Sequence, residues 1–64
     1  MKKKELKKIA WAIAEAEKVL ATQEASQEDK RMARETILAL FNRIDNVDDM
    51  LFIDDYVQEY LQKI

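Results

Sequence analysis

The chain has 64 residues, 48% hydrophobic and 38% charged, with a net charge of -2 and no glycine, proline, cysteine or histidine. That length allows one domain, 1–64, near the lower limit at which a chain buries enough surface to fold alone. Without cysteine there is no disulfide framework and no thiolate metal site. Without histidine the commonest general base is missing, and without glycine every phosphate-cradling loop. Abundant apolar residues and the small net charge set the chain apart from disordered segments.

The basic opening Lys2-Lys3-Lys4 is followed by an apolar run, Ile9 to Ala14, that Glu15 and Glu17 interrupt. That run is too short for a signal-peptide core or a membrane span, so the expected location is cytoplasmic.

The first helix is expected over about 3–21, where Leu6, Ile9, Ile13, Ala16 and Leu20 recur at three- and four-residue spacing. The stretch from Thr22 to Ser26 has no large apolar residue. Ser26 with Asp29 three positions on has the pattern of a capping box, which places a hairpin turn at 22–26.

A second helix over about 27–44 carries the stripe Ala33, Ile37, Leu40, Phe41 and Ile44. Next, Asn46 can end helix two in a left-handed conformation, or Asp45 or Asn46 can cap helix three. Asp48 and Asp49 suit the positive end of a helix dipole. The third helix, about 47–63, carries Met50, Ile53, Val57, Leu61 and Ile64; one continuous second-to-third helix is the rival arrangement. Short connections between amphipathic helices predict an all-α three-helix bundle, up-down-up, or a helical hairpin with a third helix packed across it.

Residues 1–18 hold six lysines against three glutamates, and residues 45–64 hold six acids against one lysine. In an up-down-up bundle helices one and three are parallel, so these two regions are expected to lie side by side and pair. Trp11 falls roughly opposite the Leu6/Ile9/Ile13 stripe. Around it a basic patch of Lys3, Lys4, Lys7, Lys8 and Lys18 is expected. A tryptophan there serves a partner, is covered within the fold, or meets nucleic acid or an anionic membrane.

Helix three has more apolar surface than one seam uses. Phe52, Tyr56 and Tyr60 form an i, i+4, i+8 ridge, and Leu51 projects elsewhere; burial on two sides accounts for part of the surplus. Leu38 and Met32 fall outside the helix-two stripe. Trp11, Leu38, Leu51, Phe52, Tyr56 and Tyr60 are therefore the candidate partner-binding residues, with self-association into a homodimer as one use.

The acids do not make a calcium loop. Starting at Asp45, position three is Val47, position six is Met50 and position twelve is Tyr56, where oxygen, glycine and glutamate are required. The only serine, Ser26, has no histidine to activate it. No catalytic, metal or cofactor residue and no small-molecule substrate is expected.

The stretch Asp48-Asp49-Met50-Leu51-Phe52-Ile53-Asp54-Asp55-Tyr56-Val57-Gln58-Glu59, with Ala14-Glu15-Ala16-Glu17 earlier, resembles small all-helical orphan proteins of Firmicutes bacteria and their phages. The resemblance implies a helical fold and brings no catalytic residues. The expected role is a non-enzymatic protein-interaction module, a bacterial or phage accessory or inhibitor protein. The alternative is non-specific binding of nucleic acid or anionic membrane through the first helix, using Lys3, Lys4, Lys7, Lys8 and Trp11.

Overall fold

A computed structural model describes residues 2–63 as three helices, α1 (Lys3–Ala21), α2 (Gln27–Asn42) and α3 (Val47–Lys63). No strand occurs among the described residues. The stripe position Ile64 lies outside them.

Each boundary has a local cause. Thr22 closes α1 by turning back on it: its hydroxyl donates to the Lys18 carbonyl at 2.8 Å and its N–H to the Val19 carbonyl at 3.1 Å. Ser26 starts α2, its Oγ accepting from the Asp29 N–H at 3.0 Å, so the expected cap is present. Helix two ends at Asn42, two residues earlier than expected. The Arg43 and Ile44 amides bond to the carbonyls of Leu40 and Phe41, three residues back, which tightens and terminates the turn.

Ile44 is still buried, so it does its packing from the connection. Asn46 caps α3, its Oδ1 accepting from the Asp48 N–H at 2.8 Å and the Asp49 N–H at 3.4 Å. No described residue has a positive φ, so a left-handed end to helix two is not used. Helices two and three are separate.

The helix buried on two sides is α1 and not α3. Both α2 and α3 pack along α1 and have little contact with each other. The molecule is accordingly flat, 34 × 24 × 15 Å. Six residues of α1 are buried, against Ile53 and Val57 on α3 and Ala33 alone on α2. Leu6, Ile9, Ala10, Ile13 and Ala14 meet Ile44, Ile53 and Val57 in one core cluster, with Ile37, Leu40 and Phe41 half-buried at its edge. The order is up-down-up, since three successive turns of α1 meet three successive turns of α3 in the same direction.

Candidate functional site

Those three turns form a ladder of rings and lysines. Lys3 Nζ stands 5.6 Å from the Phe52 ring centroid, and Lys7 Nζ 5.4 Å from that of Tyr56. One turn further, Trp11 meets Tyr60 edge-on, with centroids 5.0 Å apart and planes at 73°. Along α3, Phe52 and Tyr56 are edge-on at 4.8 Å, and Tyr56 and Tyr60 stack at 5.8 Å. An ammonium within about 6 Å of a ring centroid is attracted to the electron-rich face, by about 0.5–1 kcal/mol at exposed sites.

The ridge expected as candidate partner surface is therefore largely engaged inside the molecule, and Phe52, Tyr56 and Tyr60 are half-buried. Lysine-rich and acidic regions do lie side by side, but Lys3 and Lys7 rest on rings between them.

The opposite flank of α1 is open. Between α1 and α2 lies a hollow of about 500 Å³, with Ala12, Ala16 and Val19 on one wall and Ala33 and Met32 on the other. Its rim carries Glu15 and Asp29, and Thr22 and Ala25 close the turn end. A second hollow of about 440 Å³, lined by Trp11 and Lys18, shares Glu15, Val19 and Thr22 with the first. One face thus runs from Trp11 across Val19 to Met32, and those two large side chains are 40% and 56% exposed. Alanines open the hollow: Ala12 and Ala16 stand across from Ala33, and side chains this short leave the space between the helices unfilled at ordinary interhelical distance.

Sequence reasoning singled out Trp11 and noted Met32 outside its stripe. It missed Ala12, Val19 and the hollow. The available signal was the small size of Ala16 and Ala33, which periodicity places in the apolar stripes without distinguishing a filled seam from a vacant one.

Other candidates lie apart. Leu38, 64% exposed, is on the flank of α2 away from Met32 and Thr36. Leu51, 61% exposed, is on the far side of α3 from buried Ile53. Neither lines this face. Lys4 and Lys8 are exposed on the outer surface of α1, two turns and one turn before Trp11, and Lys18 borders the second hollow.

Among the described residues no group of three or more carboxylates is placed to hold a metal ion, and no helix is long and apolar enough to cross a membrane. No family model, curated protein or solved structure matches the chain.

Proposed function

We propose that the chain is a non-enzymatic protein-docking module, a small bacterial or phage accessory or inhibitor protein, that engages its partner through the outer face of α1. The observation that carries this reading is the continuity of the apolar hollow with exposed Trp11. A partner side chain entering the hollow displaces water from Val19 and Met32. Trp11 packs beside it, and the lysines and acids around the face set orientation. Tyr60, edge-on behind Trp11, holds the indole in place, so less order is lost on binding. Buried aromatic anchors of this kind dominate interface energetics.

Affinity capture from the native host tests the reading, using wild type, Trp11→Ala and Met32→Glu, with Leu51→Ala as control. The expected result is one partner retained by wild type and Leu51→Ala and lost by the other two. An identical captured set for all four contradicts the reading.

The second reading, nucleic acid or anionic membrane, draws on exposed Lys4 and Lys8 beside Trp11. Occupation of Lys3 and Lys7 on the chain's own rings leaves it fewer free cations. Salt titration against single-stranded nucleic acid and anionic vesicles measures it, because phosphate binding falls steeply with salt. No binding at low salt removes it.

A further inference from the structure

We infer that the occupant of this docking face is a second copy of the same chain, with Trp11 of each copy seated in the hollow of the other; the inference rests on the docking reading above. Knob and hollow lie on one face of α1, Trp11 in its N-terminal half and the hollow beside its C-terminal half. A two-fold axis crossing α1 between them exchanges the two, so laying one knob on one hollow lays the other pair as well. The two α1 helices then run antiparallel.

The charges of the two ends of the face complement each other, as pairing with a second copy requires. Lys4 and Lys8 precede Trp11 on the exposed surface, whereas Glu15 and Asp29 rim the hollow, with Glu28 exposed beside Asp29 at the start of α2. Antiparallel exchange brings the lysines of one copy onto the Asp29 end of the other's hollow, twice over. A parallel two-fold pairing would lay Trp11 on Trp11 and lysine on lysine, with no exchange of knob and hollow. The size allows it too: the hollow is an open groove of about 500 Å³, roomy enough for one indole to lie in it. Exposed Trp11 and Met32 then have a use, since pairing covers both and extends a core that one copy leaves shallow.

Light scattering from micromolar to millimolar protein reads the association. Wild type is expected to move from 7.6 kDa towards twice that mass as concentration rises. Lys8→Glu alone and Asp29→Lys alone each place like charges at both contacts, and are expected to associate roughly tenfold or more weakly. Mixed together, they place opposite charges at both contacts, and the mixture is expected to recover the dimer. Circular dichroism verifies that each variant is helical. Should either fail to fold, Lys8→Gln and Asp29→Asn replace them, with a smaller loss expected for each alone. Wild type fixed at 7.6 kDa throughout overturns the second copy, while partner capture dependent on Trp11 keeps the docking reading standing. A wild-type dimer that both charge variants leave intact overturns this face as its interface.

Discussion

Helix α1 presents alanine to both of its neighbours, and the two seams come out differently. Towards α3 it offers Ala10 and Ala14, which follow Lys3 and Lys7 by seven residues and so share their face; both are fully buried. Towards α2 it offers Ala12 and Ala16, and a hollow remains. The difference lies in what the opposing helix brings. Ile53, Val57 and a half-buried row of rings fill the space that alanine leaves on α3's side. Ala33 and Thr36 cannot fill it on the other. A small residue makes a close seam or a vacant one according to its opposite, and this molecule has one of each.

The largest effect expected from breaking the comparison is on the filled side. Ile53→Ala should cost about 2–5 kcal/mol in denaturant unfolding, because a fully buried side chain leaves a cavity. Ile37→Ala on α2 should cost clearly less, since Ile37 is only half-buried. Equal losses would show that the α2 seam is as tight as the α3 seam.

Enlarging the alanines sharpens the contrast. Ala14→Leu should destabilise by about 1–3 kcal/mol through overpacking. Ala12→Leu, directed at the hollow, should leave stability unchanged or raised, and should block whatever docks there. Thermal melts of the two variants give the comparison directly. The caps come next: Ser26→Ala and Asn46→Ala should each cost about 0.5–2 kcal/mol. Smallest is the lysine–ring contact, where a double-mutant cycle of Lys7→Ala with Tyr56→Leu should give a coupling of about 0.5–1 kcal/mol.

Much of this was legible in the sequence. The 3.6-residue spacing of Leu6, Ile9, Ile13, Ile53 and Val57 announces amphipathic helices, and Ser26 and Asn46 have the side chains that satisfy orphan amides. The ridge of Phe52, Tyr56 and Tyr60 was visible as well. Its engagement was not, because that depends on the register of α3 along α1, which places each lysine or Trp11 opposite the ring one turn further on. Periodicity along one helix carries no information about register between two. The end of α2 was misplaced for a related reason: Ile44 keeps the apolar period after the backbone has left the helix. The hollow was hidden because it is made of what two helices both lack.

Trp11 is the only tryptophan in the chain, so its fluorescence reports the proposed contact without a label. At low micromolar concentration its emission should be that of a part-exposed indole. As concentration rises it should shift to shorter wavelength when the indole enters a second copy's hollow, and Ala12→Leu, which fills that hollow, should abolish the shift. Wild-type emission that stays constant across the whole range would contradict the account.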